Sequence, residues 1–209
     1  MSGLEELLRA APQVLEPETD CFICLDGYSG GGEDGRCIEL PCGHTGHPIC
    51  LRQLLLTTGK CGLCSRFYLV QTGTMGPGTM TVTNSPAALP GHEGCGTITI
   101  HYAMSGGVQG SEHPSPGTPF SGTSRVAYLP DSPDGREALR LLRIAFDRRL
   151  TFTVGTSLTT GASNTTVWNG IHHKTSPHGG PTSFGYPDDS YLQRLFAELA
   201  AKGITRAST

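Results

Sequence analysis

Apolar and polar positions alternate or cycle in enough places to mark most of the elements. Leu4, Leu7 and Leu8 repeat at helical spacing behind Ser2-Gly-Leu-Glu5, a capping-box pattern, and Pro12 stops the run. A second short helix is expected from Cys50 to Thr57, with Leu51, Leu54, Leu55 and Leu56 on it and Gly59 after it. Strict alternation in Gly96-Thr-Ile-Thr-Ile-His-Tyr102 predicts a half-buried strand. Arg125–Pro130 and Leu150–Val154 read as two more strands. Asp131-Ser-Pro-Asp134 opens a helix whose buried side is Leu139, Leu142, Ile144, Ala145 and Phe146. Its arginines, Arg136, Arg140, Arg143 and Arg148, are expected to face water. A last helix is capped by Asp189, carries Leu192, Leu195, Phe196 and Leu199, and ends before Gly203. Residues 106–122 are rich in Gly, Pro and Ser and read as a long loop.

The pattern changes character between Cys21 and Cys64. Cys21-Phe-Ile-Cys24 is followed after seventeen residues by Cys42-Gly-His44, then His47-Pro-Ile-Cys50, then after ten residues Cys61-Gly-Leu-Cys64. Thiolate and imidazole groups in four short pairs supply two corners each of two tetrahedra, the preferred geometry of zinc. A segment with few apolar residues is then held by metal rather than by a large core. Cys37 is left as a spare thiol. Ser29–Gly35 reads as a flexible loop between the first two pairs.

Composition narrows the reading. The chain has 209 residues, a formal charge of -3, 29 glycines and 15 prolines, so it carries many turns and no global basic field. No apolar run approaches the ~20 residues of a membrane helix. The N-terminus lacks a basic-then-apolar signal pattern, and paired Cys with His reads as zinc rather than disulfide. A cytoplasmic or nuclear protein without membrane contact is the expectation. Only Lys60, Lys174 and Lys202 carry an amine side chain.

The order of the ligand pairs resembles the RING finger, in its variant with two central histidines. The resemblance implies interleaved sites: Cys21, Cys24, His47 and Cys50 on one zinc, Cys42, His44, Cys61 and Cys64 on the other. It also implies a shallow groove that docks a ubiquitin-conjugating enzyme, with Ile23 as apolar anchor and Leu54 and Leu63 completing it. Leu54 fits the core of the module as well. Where many members have a cation just after the last ligand, this chain has Ser65, then Arg66. A structural zinc knot without activity is the plainer alternative.

A second constellation lies downstream. Gly155-Thr-Ser-Leu-Thr-Thr-Gly161 is a hydroxyl-rich loop of the kind that approaches phosphate or ribose. Ala127-Tyr-Leu-Pro-Asp131, Phe146-Asp-Arg-Arg-Leu150, Phe152-Thr-Val-Gly-Thr-Ser157, Trp168-Asn169, Ile171-His-His-Lys-Thr175 and Gly185-Tyr-Pro-Asp188 resemble the carboxy-terminal domain of the deltex family, which follows a RING finger in that family too. The fold class expected is α+β: a two-zinc cross-brace module, then a mixed α/β domain. Boundaries are expected at 1–17 for a helical segment, 18–68 for the RING, 69–79 for a linker and 80–209 for the last domain.

The resemblance implies a RING-type ubiquitin ligase whose last domain binds ADP-ribose or NAD and recruits ADP-ribosylated proteins to the conjugating enzyme and its ubiquitin. Matching ligand positions are Thr156, Ser157, Trp168, His172, Gly185 and Tyr186, with Trp168 or Tyr186 stacking on a ring. Glu198 aligns with a glutamate that activates a ribose hydroxyl in some relatives; read alone, it is a solvated helix residue. Phe184 stands where some relatives have a histidine working with that glutamate, and Leu158 replaces a small polar residue. The family is associated with Notch signalling. Two other readings stay open: a non-catalytic ADP-ribose reader, and a module engaging single-stranded nucleic acid through Phe184 and Trp168.

Overall fold

A computed structural model describes residues 2–15, 19–28 and 36–208, with the side chain of Ser2 outside that set. The capping role expected of Ser2 and the loop expected over 29–35 therefore lie outside the described residues. The chain forms two compact units, Met1–Val70 and Gln71–Thr209. Among the described residues no helix is long and apolar enough to cross a membrane.

The first unit opens with helix α1, Ser2–Ala10. Strands β1 (Gln13–Val14), β2 (Cys37–Glu39) and β3 (Thr45–Gly46) form a small antiparallel sheet in that order. Helix α2, Pro48–Thr58, follows. It begins on Pro48, whose missing N–H is an unneeded donor there. It ends at Gly59, left-handed at φ 68°, whose N–H donates to Leu55 O. Leu4 of α1 joins Ile38, Leu40, Leu51, Leu55 and Cys61 in the core, and Arg52 of α2 pairs with Glu5 at 2.8 Å. So α1 packs on the zinc-ligand region, and the core it completes is small.

The second unit is built on an antiparallel sheet, β4 (Gly78–Ser85), β5 (Thr97–Met104) and β8 (Thr123–Pro130), with β5 central. Ile98, Ile100, Tyr102 and Met104 of β5 all point to the buried face. Within 106–122 a short hairpin forms from β6 (Gly107–Val108) and β7 (Pro119–Phe120). Helix α3, Pro133–Asp147, is capped by the Ser132 hydroxyl, which accepts from Gly135 N–H. A Cβ on Gly135 would lie 1.8 Å from Pro130 O, so the close turn from β8 into α3 requires glycine there. Strands β9 (Phe152–Gly155) and β10 (Thr165–Trp168) form a second hairpin-like pair, and helix α4, Tyr191–Ala201, packs against α3.

Several expectations shift. The buried side of α3 is Ala138, Leu141, Leu142, Ala145 and Phe146, with Leu139 and Ile144 only half-buried. Ser190, not Asp189, is the cap of α4. Residues from Gln71 belong to the second unit: Gly73 N–H donates to Arg148 O, and Met75 is buried. Of the α3 arginines, Arg136 and Arg143 face water as expected, whereas Arg140 and Arg148 are half-buried and reach carbonyls of the last residues. Arg140 bridges Glu137 and the carbonyls of Arg206 and Ser208, and Arg206 returns to Asp134 at 3.1 Å.

Candidate functional site

The first unit brings its eight expected ligands into two sets, Cys21, Cys24, His47 and Cys50, and Cys42, His44, Cys61 and Cys64. In each set the ligand atoms all lie within 4.8 Å of one another. His47 Nδ1 is 3.4 Å from Cys24 Sγ and 3.9 Å from Cys50 Sγ. His44 Nδ1 is 3.4 Å from Cys42 Sγ and 3.6 Å from Cys61 Sγ. Zn–S near 2.3 Å and Zn–N near 2.0 Å make the S···N edge of a tetrahedron about 3.5 Å, which these distances match. Electrostatics ask for the ion as well. Burial and the neighbouring Cys24 and Cys21 sulfurs push the Cys50 thiol up to about 12, an anionic crowding that a central dication removes. The two sets interleave along the chain, as a cross-brace requires, and form two zinc-binding sites. Cys37 is buried in β2 outside both.

Around these sites the four residues expected to dock a partner fall into different environments. Leu63 is exposed at 58 %, whereas Ile23 is half-buried against the small core. The exposed apolar side chain of the first zinc loop is Leu25, at 76 %. Nothing in local composition separated Leu25 from Ile23; its positive φ of 65°, set by the turn, turns it outward. Leu54 is half-buried, and a Cβ on Gly62 would touch both Phe22 and Leu54, so both zinc loops and α2 meet there. Arg66 donates to Pro41 O at 2.8 Å and remains exposed.

In the second unit the segment after β10 crosses the end of the sheet with alternating side chains. Asn169 N–H donates to Thr151 O, and Tyr128 N–H donates to Lys174 O. Ile171 and His173 turn inward and His172 turns out. His173 Nδ1–H donates to Ile171 O at 2.9 Å, so its Nε2 accepts from the Tyr102 hydroxyl at 3.0 Å. Burial pushes its pKa down to about 4, keeping the ring neutral. Trp168 stacks on His173 and on Phe152, at 4.2 and 4.4 Å between centroids.

His172 reaches α4 instead. Glu198 accepts from His172 N–H at 2.8 Å through one oxygen and from Nδ1–H at 2.6 Å through the other. Beside them a cleft of ≈ 220 Å³ is lined also by Phe184, Lys174, Tyr191 and Arg194. Lys174 and Arg194 share the buried Asp188 carboxylate, at 2.6 and 2.8 Å from the same oxygen. The Arg194 guanidinium, followed by Lys174 and Ser190, holds that carboxyl far below the usual range against the opposing effect of burial. Lys174 and Arg194 stand against two carboxylates, Asp188 and the cleft-lining Glu198, and half of Arg194 faces solvent. Phe184 is 61 % exposed in a left-handed backbone conformation.

The cleft thus gathers His172, Phe184 and Glu198 of the expected residues. Tyr186 is corrected: it is 1 % exposed and donates its hydroxyl to Tyr128 O, so no ligand can stack on it. Gly185 serves close packing, since a Cβ would lie 1.8 Å from His178 O. Trp168 is engaged with Phe152 and His173, and neither it nor Thr156 or Ser157 lines the cleft. Ser157 Oγ accepts from Thr160 N–H within its own loop. Arg194 went unread; its place one helical turn before Glu198 was the available signal.

The family model described as "Deltex C-terminal domain" matches residues 72–204, and "Ring finger domain" matches residues 19–65. The chain belongs to the deltex family. Among deltex relatives, "Probable E3 ubiquitin-protein ligase DTX3" of Mus musculus is 49 % identical over 199 residues, 94 % of this chain and 56 % of the relative. The Homo sapiens protein of that name is 48 % identical, over 92 % of this chain and 55 % of its own length. "E3 ubiquitin-protein ligase DTX4" of Mus musculus is 44 % identical, over 98 % of this chain and 36 % of the relative. The chain spans about half the length of the DTX3 relatives. In this deltex chain Phe184, not a histidine, precedes the Gly-Tyr-Pro-Asp turn, and Glu198 takes its imidazole partner from His172.

Proposed function

We propose that the chain acts as a RING-type ubiquitin ligase, docking a ubiquitin-conjugating enzyme and orienting its ubiquitin thioester. The observation that carries this reading is the pair of interleaved four-ligand sets. They fix the two zinc loops and α2, which carry the exposed Leu25 and Leu63 and the half-buried Leu54, apolar side chains available to a docking partner. Catalysis of this kind works by holding reactants in a productive pose. The similar DTX3 and DTX4 proteins, which are named as ubiquitin-protein ligases, support it.

We further infer that the second unit binds ADP-ribose or NAD and recruits ADP-ribosylated proteins. The half-exposed Arg194 offers a fork of donors to a diphosphate, and the exposed Phe184 ring offers a stacking face.

A ubiquitination assay across a panel of conjugating enzymes tests the ligase reading. The wild type should build chains, and Cys21→Ser and Leu25→Ala should not. Silence of the wild type with every enzyme leaves the non-catalytic reader. Free ADP-ribose should compete with modification of ADP-ribosylated targets, while single-stranded nucleic acid should not.

A further inference from the structure

Strand β4 lies at the edge of its sheet and, among the described residues, pairs with β5 alone. The direction of its backbone groups follows from the ladder. Ser105 N–H donates to Pro77 O at 2.9 Å, one step beyond the Gly78–Met104 pair, so Pro77 faces β5. Bonded and non-bonded positions alternate in an antiparallel ladder, so Thr79, Thr81 and Thr83 direct their N–H and C=O groups to β5. Gly78, Met80, Val82 and Asn84 turn theirs away from it, and no backbone or side-chain group among the described residues meets them. The opposite edge of the sheet is occupied. Tyr128 of β8 donates its N–H to Lys174 O and accepts the Tyr186 hydroxyl at its carbonyl.

An open edge is ordinarily blunted by a charge, a proline or a bulge. Gly78–Ser85 has no charged residue and no proline, and it pairs with β5 through eight consecutive positions without interruption. Its side chains also match themselves. Met80 and Val82 are half-buried against the main core, and Thr79, Thr81 and Thr83 are exposed on the other face. Laid antiparallel on its own copy about a two-fold axis at Thr81, the strand sets Met80 opposite Val82 and Gly78 opposite Asn84, whose outward groups then bond. On the outer face Thr81 meets Thr81 and Thr79 meets Thr83. Apolar side chains face apolar ones and hydroxyls face hydroxyls, cross-strand pairs that stabilise a sheet, and no like charges oppose. This match on both faces favours a second copy over an unrelated extended peptide. We propose that β4 is a self-pairing edge, which joins the three-stranded sheets of two copies of this chain into one about Thr81.

A single strand pair buries less than the ~1,200 Å² of a stable complex, so the dimer is weak and concentration-dependent. Sedimentation equilibrium of the full zinc-loaded chain should show the mass rising from one chain toward two as concentration approaches ~1 mM. Thr81→Lys sets two ammonium groups against each other on the exposed face, away from the core, and should weaken association about tenfold or more. Mixing Thr81→Lys with Thr81→Glu should restore a mixed dimer, because this register places position 81 opposite itself. Amide exchange should be slow at Thr81 and Thr83 at every concentration, and should become slow at Met80, Val82 and Asn84 only as the dimer forms. A chain that stays monomeric, a Thr81→Lys variant that associates as the wild type does, or a mixture that does not recover overturns the proposal. Protection of Met80, Val82 and Asn84 only when an unrelated extended peptide is added, with the mass still that of one chain, gives the edge to that peptide and overturns self-pairing.

Discussion

Lys174 Nζ lies 2.6 Å from Asp188 Oδ2, and both side chains are almost wholly withdrawn from solvent, at 4 and 3 %. The amine also sits over the rings of Tyr186 and Tyr191. A lysine held this way is unavailable to an activated acyl group. The sequence alone places three candidate acceptor amines on equal terms; the structure removes one. Mass spectrometry of the self-modified protein should find ubiquitin remnants at Lys60 or Lys202 and none at Lys174.

Removing one partner of a buried ion pair strands the other. Lys174→Met should cost about 3 kcal/mol in urea unfolding. The Asp188 carboxyl titrates lower in the folded chain than unfolded, so its contribution is complete above the unfolded pKa of ~3.9 and is lost as pH falls below it toward the folded value. Asp188→Asn should be less stable at pH 7 and should show a flatter acid limb.

His173 titrates in the same sense at higher pH. Its folded pKa of about 4 lies below the unfolded value of ~6.5, so the unfolded chain binds more protons between those limits. Stability of the second unit should be full above pH ~6.5 and should fall by about 3 kcal/mol on acidification to pH 4. The single tryptophan, Trp168, stacks on His173, so its fluorescence reports this unit directly. Tyr102→Phe should cost about 1–2 kcal/mol at pH 7, because His173 Nε2 is left without its donor.

The first unit has a small core, so metal should decide its folding. Two zinc ions per chain are expected by elemental analysis. Chelation, or Cys64→Ser for the second site, should erase hydrogen-exchange protection in α2, since a structural zinc contributes about 10 kcal/mol or more. Persistence of that protection without metal would show the apolar cluster to be sufficient.

Arg194→Ala should weaken ADP-ribose binding by about 10- to 100-fold, the value of a charge-assisted hydrogen bond. Arg194→Lys should recover only part, since an ammonium lacks the planar fork. Calorimetry at two salt concentrations checks both.

How legible the molecule was depends on the range of the interaction involved. Helix α2 was readable because Gly59 punctuates its end, although it starts at Pro48 rather than Cys50, and β5 because its alternation is strict over Thr97–Met104. Strand β4 went unmarked: Gly78 and Thr79 fall at the end of the expected linker, and pairing with β5 defines the strand. Tyr186 was expected at the ligand because the deltex resemblance implies it, and an aromatic ring can stack. Packing against Tyr191 and His92 buries it instead.

The zinc ligands were determined by sequence alone. Metal coordination depends on donor identity and on short spacings, and the ion itself recruits the distant pairs. The cleft was decided only in three dimensions. His172 and Glu198 stand twenty-six positions apart, and Lys174 fourteen from Asp188. Each is an ordinary polar residue until folding removes water from between them, and it is that desolvation which turns them into partners.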